Sequence, residues 1–199
     1  MKKTPYIVKV YFLLAAFCIA LPTLGTQFYP SQKGRFLVAS EKIRYEPFRE
    51  SVIYISHHDL FGAFGLVINK PIDIEKLREV DENLPEDLPP LRLGGPVGFP
   101  DHSFALFANH RQEPVEEHPR GQSYSLEDVI KKVDRYPHKQ VFIAYSGWGP
   151  LQLDMEIIRG SWTVIDAPKE IVFEEIDTVD LWRRLKEQRT PDRYSDQKI

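Results

Sequence analysis

Apolar residues in this chain come in short runs broken by glycine, proline and charge, not in long periodic stretches. Arg35-Phe36-Leu37-Val38-Ala39, Ser51-Val52-Ile53-Tyr54-Ile55-Ser56 and Leu66-Val67-Ile68-Asn69 read as strands. The second and third are expected to form a hairpin, with His57-His58-Asp59 and Gly62-Ala63-Phe64-Gly65 in its connection. Leu91-Arg92-Leu93 is a brief strand running into Gly94-Gly95-Pro96-Val97, and Phe104-Ala105-Leu106-Phe107 is another. Gly160-Ser161-Trp162-Thr163-Val164-Ile165 predicts one more strand, and Ile171-Val172-Phe173 is a short apolar piece. Helical spacing appears from Asp73, a natural N-cap, to Val80. It appears again over Leu126–Val133, capped by Ser125 with Asp128 at capping-box spacing. A last helix runs from Val179 to Gln188, capped by Asp177 or Thr178, with Leu181, Trp182 and Leu185 inward. Asp81 to Pro90 and Asn109 to Gln122 read as loops.

The chain is organised around Ala144 to Ile157. Gln140-Val141-Phe142-Ile143-Ala144-Tyr145 reads as a buried strand, Ser146-Gly147-Trp148-Gly149 as a turn, and Pro150 as the first residue of a helix. Leu153, Ile157 and Ile158 are expected to face the core, while Gln152 and Glu156, four apart, share a neighbouring face. Free amides at such a helix start can hold an anion. The plainer reading is that the glycines let strand and helix pack closely, with Trp148 in the core. Strands and scattered helices without a regular βαβ alternation give an α+β fold.

Composition narrows this. At 199 residues the chain is one domain with a short appendage, or one larger domain. A net charge of -3 argues against broad binding to nucleic acid. Cys18 is the single cysteine, so neither a disulfide framework nor a cysteine metal site is expected. Met1-Lys2-Lys3, Lys9 and the apolar run Val10–Leu21, closed by Pro22-Thr23-Leu24-Gly25, make residues 1–25 a signal peptide or membrane anchor. Residues 26–34 then form a linker, 35–189 the globular domain and 190–199 a tail. The domain is expected to be exported, or anchored at the inner membrane and outside the cytoplasm. The alternative is a cytoplasmic protein with a misplaced start.

Several ordered motifs together carry a resemblance. They are Gly62-Ala63-Phe64-Gly65-Leu66-Val67-Ile68-Asn69-Lys70-Pro71, Leu93-Gly94-Gly95-Pro96-Val97, Ser146-Gly147-Trp148-Gly149-Pro150 with Gln152-Leu153 and Glu156-Ile157, and Gly160-Ser161-Trp162. From about Gly34 to Glu187 the chain resembles the AlgH/YqgE family of bacterial proteins. The resemblance implies an α+β fold with a strongly bent, partly barrel-like mixed sheet surrounded by helices. One branch of that family is described as a transcriptional regulator of alginate production, and no catalytic mechanism comes with it. The chain departs from the family pattern at His57, often acidic there, at Phe107, commonly histidine, and at Leu151, usually glycine.

Candidate chemistry is sparse. His57-His58-Asp59 suggests an acid/base pair or metal ligands, yet neighbours on an extended chain point to opposite sides, and a zinc site needs three or four convergent ligands. A polar turn with Asp59 capping its own backbone is the alternative. Gly94-Gly95-Pro96 lacks the spacing of a dinucleotide loop and the lysine of a P-loop. Ser146 lacks the glycine pattern of a nucleophile elbow. Asn69, Gln152 and Glu156 are polar groups at the ends of apolar elements, and a buried Glu156 would suit a general base. The expected functional set is therefore His58, Asp59, Asn69, Gly94, Gly95, Pro96, Ser146, Gly147, Trp148, Gln152 and Glu156, with no metal and no cofactor. Two functions fit. The first is a non-enzymatic regulatory or protein-interaction domain. The second is a small-ligand binder or hydrolase using a cleft between the Gly94-Gly95-Pro96 and Gly147-Trp148-Gly149 turns. The expected partner is another protein or a small anionic ligand, with no direct nucleic acid and a membrane tether through the N-terminus. A concave site of converging polar groups would favour the second function, and an exposed apolar patch the first.

Overall fold

A computed structural model describes residues 30–80, 84, 88–109, 111, 113–116, 124–174 and 178–188, all but the first two within the compact unit that starts at Gln32. Residues 1–29, Asp177 and the 190–199 tail lie outside the described residues, and with them the predicted leader, most of the linker and one predicted helix cap. No described helix is long and apolar enough to cross a membrane.

Nine described strands form two sheets. The first contains β1 (Phe36–Ala39), β2 (Val52–Asp59), β3 (Gly62–Val67), β8 (Ser146–Trp148) and β9 (Trp162–Ile165) in the order β8-β3-β2-β1-β9. All its neighbours are antiparallel. The second contains β4 (Leu91–Leu93), β5 (Ser103–Ala108), β6 (Pro114–Glu116) and β7 (Lys139–Ile143) in the order β4-β7-β5-β6. Only the β4–β7 pair is parallel. The helices are α1 (Ile74–Val80), α2 (Leu126–Val133), α3 (Gln152–Ile158) and α4 (Thr178–Glu187), with a 3-10 turn over Lys169–Val172. The fold is α+β as expected. Its bend is divided between two sheets, with no closed barrel among the described residues.

Several predicted connections are regular structure. His57-His58-Asp59 belongs to β2 and Gly62-Ala63-Phe64-Gly65 to β3, so Leu60 and Phe61 alone make the hairpin turn. Asp59 Oδ1 accepts the Phe61 N–H at 2.8 Å and supports that turn. Pairing decides the matter, because β8 lies on the far side of β3 and gives the glycine-rich stretch a second partner. Gly65 is needed there, since a Cβ would sit 2.7 Å from Ile53 Cγ2 and 3.0 Å from the Tyr54 carbonyl oxygen. Within the predicted 109–122 loop, Pro114–Glu116 pairs with β5. The piece read at Ile171-Val172-Phe173 contributes to the 3-10 turn instead of a strand.

The sheets are stitched where the glycine motifs meet. The Gly94 carbonyl accepts the Val67 N–H at 2.9 Å, while the Gly94 N–H donates to Ile143 O at 2.9 Å. Val97 and Tyr145 exchange two backbone bonds of 3.0 and 3.1 Å. Ala144, at φ 63, turns the chain from β7 of one sheet towards β8 of the other. A Cβ on Gly94 would stand 2.3 Å from the Ala144 carbonyl oxygen, and one on Gly95 2.3 Å from the Tyr145 carbonyl.

β7 serves two cores by alternation. Phe142 joins the larger buried cluster, which holds Phe36, Ile53, Leu66, Leu153 and the three tryptophans. Val141 and Ile143 join the smaller one with Leu77, Leu91, Ala105, Val129 and Val133. Trp148, Trp162 and Trp182 are buried, as expected, at 8%, 3% and 9% exposure. Trp182 places α4 against β1 by donating from Nε1 to Ala39 O at 2.7 Å.

Candidate functional site

The organising stretch folds differently at its centre. Gly147 and Trp148 continue as β8, with Trp148 opposite Ala63 and Ser146 opposite Gly65. α3 starts at Gln152, and Leu151 at its N-cap is left-handed, with φ 58 and ψ 3. Pro150 therefore precedes the helix. Leu153 is buried and Ile157 packs on the core, but Ile158, predicted inward, is 76% exposed. Ile158 follows Ile157 by one position, about 100° further round the helix, and so leaves the core side.

Glu156 is wired into the fold. Its Oε2 accepts Trp148 Nε1–H at 3.0 Å and Trp162 Nε1–H at 2.8 Å. Its Oε1 accepts from Gln152 Nε2 at 3.0 Å. The two indoles meet edge-on, centroids 6.3 Å apart and planes at 84°. Gln152 Oε1 in turn accepts the Gly149 N–H at 3.0 Å, and the Gln152 N–H donates to Gly149 O at 3.1 Å. Two of the amides expected to cradle an anion are thereby committed. The carboxylate does the work of a bracket, holding the edge strand, the helix and β9 together through buried N–H groups that each need an acceptor.

Other predicted residues are equally occupied. Asn69, 2% exposed, accepts the Val52 N–H at 2.8 Å and donates to Glu50 O at 2.9 Å, where Glu50 has φ 53. Ser146, fully buried, donates to Gly94 O at 3.0 Å. Gly94, Gly95 and Pro96 form the seam between the sheets, backbone against backbone with Ala144 and Tyr145. His58 is 4% exposed, and its Nδ1 accepts the Gln32 N–H at 3.0 Å. That bond puts the ring proton on Nε2, which lies 3.4 Å from Asp154 Oδ2. Among the described residues no three His, Cys, Asp or Glu side chains converge as metal ligands.

The three glycine motifs are thus neighbours. Residues 36–192 match the family described as DUF179, AlgH-like. The chain belongs to this AlgH-like family. A UPF0301 protein of Shewanella denitrificans is 33% identical over 164 residues, covering 76% of this chain and 88% of the relative. One from Coxiella burnetii is 31% identical over 149 residues, covering 71% and 80%. The solution structure of AlgH from Pseudomonas aeruginosa superposes with a TM-score of 0.59 at 20% identity, over 86% of this chain and 96% of that one. A crystal structure of a Corynebacterium diphtheriae protein gives 0.56 at 20% identity, over 82% and 89%. At that identity the two structures speak for the AlgH-like fold alone.

On this AlgH-like frame two features stand open to solvent. His57, on the opposite side of β2 from His58, bonds Asp59 Oδ2 through Nε2 at 2.8 Å. Both line a shallow depression of about 280 Å³ with Phe61, Gly62, Ala63, Phe64 and Trp148. The second is the outer side of α3, where Leu151, Met155 and Ile158 are 49%, 43% and 76% exposed. Their spacing of four and three residues was readable in the sequence as a second apolar stripe. Assigning Ile158 to the core concealed it.

Proposed function

We propose that this AlgH-like protein is a non-enzymatic regulatory interaction domain that docks a protein partner on the outer side of α3. The observation that carries this reading is the exposed Leu151–Met155–Ile158 stripe. Apolar side chains grouped on one short helix in water mark a contact surface better than they mark stability. Asp154 lies in the first turn of α3 beside the stripe, and Arg159 follows at its far end. A partner with an apolar centre and a polar rim complements it, in the size class of weak, transient complexes. The polar groups that an enzyme would need to leave available, on Asn69, Ser146, Gln152 and Glu156, are spent on the fold. In the same reading the N-terminal apolar run exports or anchors the domain, and any effect on transcription passes through the partner.

A photocrosslinking residue at Ile158, compared with one at Lys131, tests this in cells of the source organism. The expected result is a protein adduct from position 158 only. The purified partner should then bind the full chain in a salt-sensitive manner, at least about tenfold more weakly to Ile158→Asp, as for a hot-spot residue. Adducts of equal yield from both positions, adducts only with a second copy of the chain, or unchanged affinity for Ile158→Asp would overturn it.

A further inference from the structure

The exposed stripe on α3 has a different charge at each end. Asp154 stands in the first turn, its Oδ2 3.4 Å from His58 Nε2. At the other end Arg159 follows Ile158 directly. Lys42 arrives there from the turn after β1, its Nζ 3.5 Å from where a Cβ on Gly160 would stand. That turn, residues 40–49, runs beside the C-terminal half of α3. Tyr45, 63% exposed, meets Phe48 edge-on at 6.1 Å. Phe48 meets Trp162 edge-on at 5.6 Å, and Trp162 Nε1 reaches Glu156 of α3. Arg44 is exposed on the same turn.

These cations have no carboxylate of their own. Among the described residues, none lies within ion-pair distance of Lys42, Arg44 or Arg159. The acids close to them in the fold are already engaged. Glu41 pairs with Lys186. Glu46 pairs with Arg49 at 3.0 Å and with Lys70 at 3.4 Å. Glu156 is held by two indoles and Gln152. A lone surface cation is ordinary, since water solvates it. Cations at one end of a cluster of exposed apolar side chains give that cluster a sign and a direction.

We propose that the protein segment seated on α3 is acidic. Two or three of its apolar side chains lie on Leu151, Met155 and Ile158, and carboxylates just beyond Ile158 meet Lys42 and Arg159. This inference rests on the reading of α3 as a docking surface, and adds the partner's charge and its direction. Leu151 and Ile158 are seven positions apart, about 10 Å along the helix. Three or four residues of extended chain, at about 3.3 Å each, cover that span, so a short linear segment suffices. A basic segment is repelled at the Ile158 end. An anionic membrane fits less well, because Asp154 stands beside the stripe and a helix of seven residues buries little apolar area.

Selection of a random peptide library on the full-length protein tests the proposal. Enriched sequences should carry two or three apolar residues followed by Asp or Glu. The most enriched peptide, synthesised and labelled, should bind the full chain more weakly as salt rises. Lys42→Glu and Arg159→Glu should each weaken it about fivefold, the upper range for an exposed ion pair. Lys42→Arg and Arg159→Lys keep the charge and should stay within about twofold. Lys131→Glu, on α2, should change nothing, and Ile158→Asp should remove binding. Peptides lost with Ile158→Asp that lack carboxylates, or that ignore both charge reversals, would overturn the acidic partner and leave the docking surface standing. Peptides indifferent to Ile158→Asp, or no enrichment at all, would overturn both. A dye at position 158 that shifts to the blue on phosphatidylglycerol vesicles but not on the peptide would assign the stripe to a membrane. A dimer of the chain that Ile158→Asp dissociates would assign it to a second copy. Either result overturns the proposal.

Discussion

Trp148 stands between two carboxylate sites that differ in one respect. On the side of Glu156 every polar atom is committed: two indole N–H groups and one amide converge on the carboxylate, and the amide's own oxygen closes on Gly149. On the side of Asp59 the carboxylate accepts from His57 Nε2 and from the Phe61 N–H at a solvent-exposed hairpin turn. Both sites read alike along the chain, as acidic groups near glycine and an aromatic residue. The difference teaches that a polar residue at the end of an apolar element marks a position, and that its hydrogen bonds decide its purpose.

Three substitutions test how far this contrast extends. The largest effect is expected at the seam, which belongs with the committed side. Gly95→Ala places a methyl 2.3 Å from the Tyr145 carbonyl and 2.5 Å from the Ser146 nitrogen. Nothing there is a flexible side-chain end, so the cost should exceed about 3 kcal/mol, the upper range for overpacking. A urea midpoint within error of the parent would show that the sheets separate easily and that the turns are free to form a cleft.

Glu156→Ala is next. It leaves the N–H groups of two buried indoles without an acceptor, at about 1–3 kcal/mol each, so roughly 2–4 kcal/mol in all when relaxation is allowed. Glu156→Gln keeps one accepting oxygen and should lose less. A Glu156→Ala protein as stable as the parent would return this residue to the list of candidate catalytic groups.

The smallest effect has the opposite sign. Leu151 holds φ 58, which glycine adopts without strain, and its side chain is half exposed. Leu151→Gly should therefore raise stability by up to about 1 kcal/mol, the left-handed strain relieved less the entropy of a freer unfolded chain. A gain would mean that the apolar stripe on α3 is retained against stability, as a contact surface is. A loss would mean that Leu151 packs, and the outer side of α3 would then be structural too.

Much of the fold was legible because local signals agreed with the packing. Ser125 caps α2 through the Asp128 N–H at 3.2 Å, Asp73 accepts the Glu75 N–H at 3.2 Å at the start of α1, and Leu181, Trp182 and Leu185 face inward from α4. The glycine segments were misread because a turn residue and a residue crossed closely by another strand look the same in one dimension. Gly65 under Ile53 is of the second kind, and Gly147 lies within β8 against the Tyr145 ring. Of the site, Gln152 and Glu156 do meet, four residues apart on α3 as their spacing implied, and Trp148 joins them from β8. Their joint task was hidden, since the second indole comes from Trp162 on another strand. His57 was set aside in favour of His58, and only the register with Phe64 and Gly62 shows which of the two faces solvent.

The position of β1 governs how this protein can be made. It is paired on one side with β2, which follows closely, and on the other with β9, whose Ile165 meets Phe36 only after the 128 residues 37–164 have intervened. During synthesis the early β1-β2-β3 sheet therefore waits with two open edges, one for β8 and one for β9, while its apolar side lacks Leu153, Trp162 and α4. Unpaired edges of that kind are where nascent chains associate wrongly. Stable structure should thus come late and nearly all at once, when the last third of the chain supplies both edge strands and the Glu156 bracket that joins them.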